Sequence, residues 1–248
     1  MSTSILQVRD LHVEFNGVKA ADGVSLDINE GEFLAVIGPN GSGKTTLLNL
    51  CTGYVRPKSG SIHLDGRAIT GLSPLVITRR GVALAFQIPL LFSDQSVLDN
   101  MMLALAAKDG LWTMVRPLAQ PARRDEATAL LDLVGLRDDR NRVSRTLPEG
   151  HRKLLDIALA LALKPRLLLL DEPTSGVSTL ERFSLMEALM SALRTRNITA
   201  LFVEHDMDVV ARYANRVLVW NAGTVMAQGH PDEVFKDERV LKNVVGVA

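Results

Sequence analysis

A glycine-rich loop near the N-terminus carries the residues best suited to hold a phosphate group. Residues 38–45 read G-P-N-G-S-G-K-T, which matches the pattern G-x-x-x-x-G-K-[ST]. Glycines allow the backbone angles that turn N–H groups inward around an anion, and the helix predicted to follow adds its positive N-terminal end. Lys44 can reach β- and γ-phosphates as a point charge, and the Thr45 hydroxyl can hold Mg²⁺. The pattern predicts a nucleoside triphosphate site, and the alternative is a glycine-rich turn with a surface lysine.

Two adjacent carboxylates close a second apolar strand, because residues 167–172 read L-L-L-L-D-E. Asp171, at the end of the strand, can bind Mg²⁺ through water beside the phosphate loop. Glu172 is expected to point the other way, as alternation along a strand requires, and to act as a general base on an attacking water. The alternative is a buried strand capped by an acidic turn.

Three further side chains fall where such a site would use them. Gln87 lies between the predicted core and a predicted helical lobe, where a neutral amide can touch Mg²⁺ or its water and report the nucleotide state to the lobe. His205 ends the next predicted strand, where an imidazole can hydrogen-bond a γ-phosphate. Phe15 can stack on an adenine ring. Taken singly, these residues have ordinary alternatives, as a surface glutamine, a structural histidine and an apolar strand residue.

Hydrophobic patterning predicts the elements that must position these residues. The continuous apolar run at residues 33–37 predicts a strand buried on both faces, and further strands are expected at 61–64, 167–170 and 199–203. Short strands with a hairpin turn at Asn16-Gly17 are expected over residues 5–28, and a second hairpin around 221–223. Helical spacing occurs at 97–108, 122–134 and 180–193, with a looser stretch at 110–121.

These elements predict a mainly parallel α/β sheet with an N-terminal antiparallel portion and an inserted helical lobe. The expected division places the first part of the core at residues 1–91, the helical lobe at 92–164 and the second part of the core at 165–248.

Composition narrows the classes of function. Among 248 residues, 28 Lys and Arg balance 28 Asp and Glu, which argues against a global basic field that would recruit nucleic acid. No apolar run approaches the roughly 20 residues of a membrane-spanning helix, and no secretory signal is visible. The single cysteine, Cys51, is expected to be a small buried residue in a reducing, cytosolic compartment.

In this order and spacing, the phosphate loop, Gln87, residues 147–151, the Asp171-Glu172 pair and His205 resemble the ATP-binding subunit of ABC transporters over essentially the whole chain. Four stretches, at residues 15–20, 110–112, 204–210 and 228–234, look most like the branched-chain amino acid import (Liv-type) ATPases. The resemblance implies an α/β P-loop NTPase fold, with a RecA-like core, an antiparallel β subdomain and an inserted α-helical subdomain.

The resemblance also implies cofactors, partners and a location. ATP and Mg²⁺ would be sandwiched between two ATPase subunits paired head to tail, and closure of the pair would drive transmembrane permease subunits. An extracytoplasmic binding protein would deliver the cargo, and nucleic acid is not an expected partner. The chain would lie peripherally on the cytoplasmic face of the inner membrane, held there through the permease.

Site residues follow from the same resemblance. Glu172 would be the catalytic base and His205 the γ-phosphate switch, and the metal would be held by Thr45, Gln87 and Asp171. The nucleotide-binding residues that it implies are Phe15, Gly38, Pro39, Asn40, Gly41, Ser42, Gly43, Lys44, Thr45, Thr46, Gln87, Pro148, Glu149, Gly150 and His151.

Two departures from the family pattern bear on this expectation. The family signature usually reads L-S-G-G-Q, but here Pro148 replaces the serine and Glu149 adds a negative charge near an anion. Proline suits the first turn of a helix, so a helix from about residue 149 to 163 is still expected. Ser178 stands where the family usually has Asp or Asn. We therefore hypothesise an asymmetric pair, in which this chain has a complete phosphate loop but offers its partner a weaker signature.

Other functions stay open at this point. A soluble ABC ATPase of DNA repair or translation would need long coiled-coil insertions or two fused cassettes, for which 248 residues leave no room. A P-loop kinase or other simple NTPase would not need Gln87, residues 147–151 and His205 together. Within transporters, the alternatives are urea or amides as the cargo, and export instead of import. A basic cluster near the signature is expected to be a solvated face, comprising Arg137, Arg140, Arg142, Arg145, Arg152 and Lys153.

Overall fold

The computed structural model of the chain describes residues 3–109 and 120–242, so the predicted stretch 110–121 lies outside the described residues except for its last two. The strands are β1 (Ser4–Phe15), β2 (Val18–Asn29), β3 (Phe33–Ile37), β4 (Ser59–Leu64), β5 (Arg67–Ala68), β6 (Val82–Ala85), β7 (Leu167–Asp171), β8 (Thr199–Val203), β9 (Arg216–Asn221) and β10 (Thr224–Gly229). The helices are α1 (Lys44–Thr52), α2 (Pro74–Arg79), α3 (Val97–Asp109), α4 (Pro121–Leu133), α5 (Glu149–Ala162), α6 (Thr179–Arg196), α7 (Met207–Tyr213), α8 (Pro231–Val234) and α9 (Glu238–Val240).

A six-stranded sheet in the order β10-β9-β3-β8-β7-β6 forms the centre of the fold. Its strands are parallel except for β10, which returns antiparallel to β9 as the predicted hairpin. Side chains of β3 divide between two hydrophobic cores, with Phe33, Ala35 and Ile37 in one and Leu34 and Val36 in the other. The continuous apolar run therefore reflects burial on both faces, as predicted.

An antiparallel sheet in the order β2-β1-β4-β5 covers one face of this centre. Its first two strands are 12 residues each, longer than the short strands expected. Asn16 and Gly17 form the hairpin turn with positive φ angles of 49° and 83°. A register shift between Val8 and Leu11, with Asp10 at a φ of 47°, moves the buried positions from even to odd numbers. This irregularity changes which positions of β1 face the core without ending the strand.

Helices α3, α4 and α5 lie between β6 and β7 along the chain and pack against one another, as the helical lobe requires. Their apolar residues share one continuous core with α6 and with one face of the parallel sheet. The boundaries at 91/92 and 164/165 stay predictions, because this shared core gives no internal gap at which to divide the chain. Within the described ranges, no helix combines the length and apolar character needed to cross a bilayer.

Candidate functional site

The phosphate loop joins the C-terminal end of β3 to the start of α1, as predicted. A Cβ on Gly38 would lie 1.9 Å from the backbone oxygen of Trp220, and one on Gly43 would lie 2.4 Å from that of Ala20. Gly43 also has a φ of 107°, which L side chains rarely adopt. Both positions therefore require glycine for the loop to pack this closely against its neighbours.

Trp220 on β9 contacts the phosphate loop through a hydrogen bond. This residue was not identified from the sequence. Its buried indole Nε1 donates to the carbonyl of Ser42 at 2.8 Å, and the Gly223 N–H donates to the same oxygen at 3.1 Å. The Ser42 hydroxyl is buried and finds no partner among the described residues. Such a group fits a ligand with acceptor oxygens, because buried polar atoms are rarely left unpaired. A lone tryptophan in a strand is itself a signal, since its N–H needs a partner.

Lys44 and Thr45 begin α1 and face the end of β7. The buried Lys44 Nζ donates to the carbonyls of Gly38 and Pro39 at 2.8 Å each. Burial lowers the pKa of Lys44, an effect that nearby carboxylates oppose. The Thr45 hydroxyl donates to Asp171 Oδ1 at 3.3 Å, and burial raises the pKa of Asp171. A hydroxyl and a carboxylate side by side are oxygen ligands of the kind that Mg²⁺ prefers.

Glu172 directs its side chain into the same site, but not by strand alternation as expected. β7 ends at Asp171, and Glu172 follows it with a φ of 48°, in the left-handed region. The Gln87 amide Nε2 donates to Glu172 Oε2 at 2.6 Å, and His205 Nε2 lies 2.8 Å from Glu172 Oε1. The structure thus brings three of the predicted residues into one cluster at the carboxyl ends of β6, β7 and β8. A carboxylate held between an amide and an imidazole can orient and deprotonate a water.

Lys153 corrects one prediction, since it is not part of a solvated face. Its side chain is buried, with the whole residue 4% exposed, whereas the five arginines of the basic cluster are exposed or half-buried. Its Nζ donates to the backbone oxygens of Gln87 and Glu172 at 3.2 and 2.8 Å. The many charged residues nearby led to the prediction of a solvated face. The helical spacing places residue 153 on the buried face of α5, and this would have predicted its burial.

Two buried carboxylates hold the surrounding loops and were also missed. Asp156 Oδ2 accepts the Phe86 N–H at 3.0 Å, and burial raises the pKa of Asp156 to about 6. Glu204 Oε1 accepts both the N–H and the hydroxyl of Thr174, at 2.9 and 2.8 Å, and burial raises its pKa too. Asp156 is flanked by apolar residues and Glu204 directly follows the apolar strand β8, and a carboxylate in such a setting indicates a buried acceptor.

The signature region lies at the start of α5. Pro148 is the N-cap and Glu149 the first helical residue, so the helix predicted from residue 149 is confirmed. Glu149 forms an ion pair with Arg152, and His151 Nδ1 lies 2.7 Å from Asp139 Oδ2. A Cβ on Gly150 would approach no described atom closer than 3.6 Å. The packing of this chain therefore does not itself require a glycine at position 150.

Phe15 and Ser178 lie at the ends of their elements. Phe15 is the last residue of β1 and is 48% exposed, as a ring that stacks on a ligand would be. Ser178 is the N-cap of α6, where its hydroxyl accepts the Glu181 N–H at 3.3 Å and donates to the Glu181 carboxylate at 2.8 Å. These two bonds occupy the hydroxyl of the short side chain that stands where the family usually has Asp or Asn.

A group of apolar side chains, which we call the apolar loop, follows Gln87. Its members are Ile88, Leu90 and Phe92, which are 76%, 66% and 61% exposed. Tyr54, also exposed, makes an edge contact with Phe86 at 6.0 Å between ring centroids. Exposed apolar side chains this close together are typical of a protein–protein contact.

Comparison with known protein sequences places these residues in a family context. The family model described as ABC transporter matches residues 21–175. The chain is 36% identical to the high-affinity branched-chain amino acid transport ATP-binding proteins LivG of Salmonella typhimurium and BraF of Pseudomonas aeruginosa. Both alignments cover 100% of each chain.

Solved structures agree with the sequence relatives. The ADP conformation of MJ1267, an ATP-binding cassette of an ABC transporter, is similar with a TM-score of 0.86, 28% identity and coverage of 98% of this chain and 99% of that one. CbiO1 from Clostridium perfringens, part of the ABC transporter complex cbiONQ, gives a TM-score of 0.82, 30% identity and coverage of 98% and 94%. The dimeric ATP-binding cassette MJ0796 bound to ADP and Pi gives 0.77, 25% identity and coverage of 91% and 98%.

Proposed function

The chain belongs to the family of ABC transporter ATP-binding subunits and is an ATPase of that family; from this we propose that it powers the import of branched-chain amino acids or related small polar solutes. The observation that supports ATP hydrolysis is the Glu172 carboxylate held between Gln87 and His205 beside the phosphate loop. The observation that supports the cargo is full-length identity of 36% to LivG and BraF. Urea or amide cargo, or export, is the competing possibility.

We assign roles to the site residues on this basis. The loop N–H groups, the Ser42 hydroxyl and Lys44 bind the phosphates of ATP, and Phe15 stacks on its adenine. Thr45, Asp171 and Gln87 would hold Mg²⁺, which would supply positive charge beside the phosphates. Glu172 takes the proton of the attacking water while His205 hydrogen-bonds the γ-phosphate.

A second ATPase subunit completes each site in this proposal. Pairing of this kind is supported by the dimeric state of MJ0796 with ADP and Pi. A glycine in a helix is about 1 kcal/mol less favourable than an alanine. The packing within this chain does not require a glycine at position 150, because a Cβ there would approach no described atom closer than 3.6 Å. We infer that the glycine leaves room for the partner's ATP at the start of α5, beside Pro148, Glu149 and His151.

The apolar loop is the surface that we assign to the permease. It directly follows Gln87, so a permease segment bound there would sense the position of a residue in the hydrolytic cluster. A large exposed apolar surface also needs a partner to remain free of aggregation. In this arrangement the chain lies on the cytoplasmic face of the membrane through the permease, and an extracytoplasmic binding protein supplies the solute.

Replacement of the proposed base tests the hydrolytic role. Glu172→Gln preserves the shape of the side chain and its contact with Gln87, so we expect Mg-ATP binding to be kept. Hydrolysis should fall by roughly 10²–10⁴-fold because the base is lost. Glu238→Gln, at the remote helix α9, is the matched control and should hydrolyse ATP at the wild-type rate. Wild-type turnover by Glu172→Gln would refute the assignment.

The cargo is tested on the assembled transporter. The tagged chain is purified from membranes with the subunits that accompany it and reconstituted into liposomes containing ATP. We expect uptake of radiolabelled leucine in the presence of the cognate binding protein. Uptake of urea without leucine, or export alone, would replace the proposed cargo while leaving the ATPase assignment intact.

A further inference from the structure

A buried lysine on α5 touches the hydrolytic cluster from behind. The Lys153 ammonium donates to the backbone oxygen of Gln87 at 3.2 Å and to that of Glu172 at 2.8 Å. The side chains of the same two residues meet at 2.6 Å. Gln87 and Glu172 are therefore joined twice, once directly and once through a single cation that belongs to a different element.

Burial of a cation in this place carries a cost in solvation free energy. An ammonium loses its hydration on burial, and burial lowers the pKa of Lys153. An apolar side chain would avoid that penalty, but it would leave two backbone oxygens without this donor and the nearby buried carboxylates without their cation. The nearby carboxylates that favour the charged form are those of Glu149, Glu204, Glu172 and Asp156. The charge is present despite this cost, and its hydrogen bonds go to Gln87 and Glu172, so we expect it to fix the positions of these two residues.

The helix that carries Lys153 also holds Phe86, the residue that precedes Gln87. Asp156, one turn further along α5, accepts the Phe86 N–H at 3.0 Å. The buried side chains of Leu154, Leu155 and Ile157 anchor α5 in the main core. Residues 86 and 87 therefore take their position from α5, whereas the apolar loop that follows them is exposed.

Glu172 has its own need for such a contact. Its φ of 48° lies in the left-handed region, which is unfavourable for a residue with a side chain and persists only when the surroundings hold it. The bond from Lys153 to the Glu172 carbonyl holds the peptide in that orientation. If the bond is removed, the peptide can relax and the carboxylate moves with it.

We propose that Lys153 is a positioning residue for ATP hydrolysis, which keeps the Glu172 carboxylate aligned by tying the backbone carbonyls of Glu172 and Gln87 to α5. The inference rests on the proposed role of Glu172 as the base. Since α5 begins at the signature region, the same helix connects the surface offered to the partner subunit with the carboxylate that acts in this subunit's own site.

The test compares Lys153→Met and Lys153→Arg in the full chain, with Lys164→Met as a matched control. Lys164 follows α5 and pairs with Glu126, away from the cluster. We expect Lys153→Met to lower kcat for Mg-ATP by roughly 10- to 100-fold, as displacement of a catalytic group by about 1 Å does, with KM within about twofold of wild type. Lys153→Arg should restore most of kcat, and Lys164→Met should match wild type.

Two results would overturn the inference. One is wild-type kcat in Lys153→Met, and the other is a loss of Mg-ADP binding and of thermal stability in step with kcat, which indicates a structural role alone. If Lys153→Met gives no folded protein, Lys153→Gln replaces it, since its amide can still donate to one carbonyl; an intermediate kcat supports the inference and wild-type kcat overturns it. Glu172→Gln is measured in parallel. Normal hydrolysis by that variant contradicts the proposed base, whereas its inactivity beside a fully active Lys153→Met contradicts only the role of Lys153.

Discussion

Lys44 is a buried cation that is stabilised both by backbone carbonyls and by nearby carboxylates. Two loop carbonyls accept its hydrogen bonds, while Asp171 and Glu172 favour its charged form against the effect of burial. An ammonium with these short bonds is preorganised inside the phosphate loop. The free energy that it contributes on binding a phosphate is therefore not reduced by the cost of ordering a flexible side chain.

Replacement of this lysine should weaken nucleotide binding itself. We expect Lys44→Ala to raise the Kd for Mg-ADP by roughly 10- to 100-fold, since a charge-assisted hydrogen bond contributes about 1.5–3 kcal/mol. Titration calorimetry gives the measurement. Lys58→Ala, which removes an exposed lysine paired with Glu14, should leave Kd unchanged. Equal affinities for wild type and Lys44→Ala would place the phosphates elsewhere.

Asp156 should make the stability of the chain depend on pH. Its pKa is raised to about 6 in the folded state from an ordinary value of 3.8, so between these values the folded state binds more protons than the unfolded state. The contribution of Asp156 is therefore most favourable below about pH 4 and is lost as pH rises through 6.

The variant Asp156→Asn isolates this contribution, because its amide oxygen can still accept the Phe86 N–H. At pH 8 we expect Asp156→Asn to be more stable than wild type by roughly 1–3 kcal/mol, since one pKa unit corresponds to about 1.4 kcal/mol. The difference should disappear near pH 4. Urea unfolding at both pH values measures it, and a constant difference across this range would contradict the expectation.

At the scale of elements, α5 connects the signature region with the buried residues that contact the hydrolytic cluster. Its first turn carries the altered signature, and its next turn carries Lys153 and Asp156. Pro148 caps the helix without a side-chain hydrogen bond, and Arg152 partly neutralises Glu149. In the asymmetric pair that we propose, the missing hydroxyl therefore weakens the signature more than the added charge does.

Restoration of the usual signature should increase turnover. We expect the double variant Pro148→Ser and Glu149→Gly to raise the ATPase rate of the assembled transporter several-fold, because a hydroxyl donor and a charge-free approach return to the partner's phosphate. The steady-state rate of phosphate release measures the effect. Serine at 148 also remains a good N-cap, so the helix is preserved. An unchanged rate would count against an asymmetric pair.

The sequence predicted correctly those features that a short run of neighbouring residues determines. The buried run at β3, the phosphate loop and the hairpin at Asn16-Gly17 all follow from local chemistry. It failed for Lys153 and Trp220, whose roles depend on contacts between elements distant in the chain. Glu172 was predicted to lie in the site for a reason that does not apply, because its positive φ cannot be inferred from strand alternation. The roles assigned to the signature and to Phe15 stay predictions.

At the scale of the whole molecule, the net charge and the exposed apolar side chains indicate which kinds of partner the chain can bind. With 28 cationic and 28 anionic side chains, the chain has no net field to attract nucleic acid or anionic lipid. Association with other proteins must then depend on local surfaces, among which the apolar loop places three exposed apolar side chains within five residues.

Substitution of the apolar loop should separate hydrolysis from transport. We expect Leu90→Ser with Phe92→Ser to reduce co-purification of permease subunits, because the loss of apolar contact area removes the driving force for docking. Nucleotide affinity of the isolated chain should stay at the wild-type value. Leu180→Ser, at another exposed apolar side chain on α6, is the control surface. Full recovery of the permease with the double variant would exclude this surface as the docking site.

Trp220 gives the molecule an internal optical reporter. Its indole N–H is bonded to the carbonyl of Ser42, within the loop that surrounds the phosphates, and the sequence contains one other tryptophan, Trp112. Indole fluorescence depends on the hydrogen bonding and polarity around the ring. A chain with Trp112→Phe would therefore emit from the floor of the phosphate loop alone, and nucleotide arrival could be followed in real time without any attached dye.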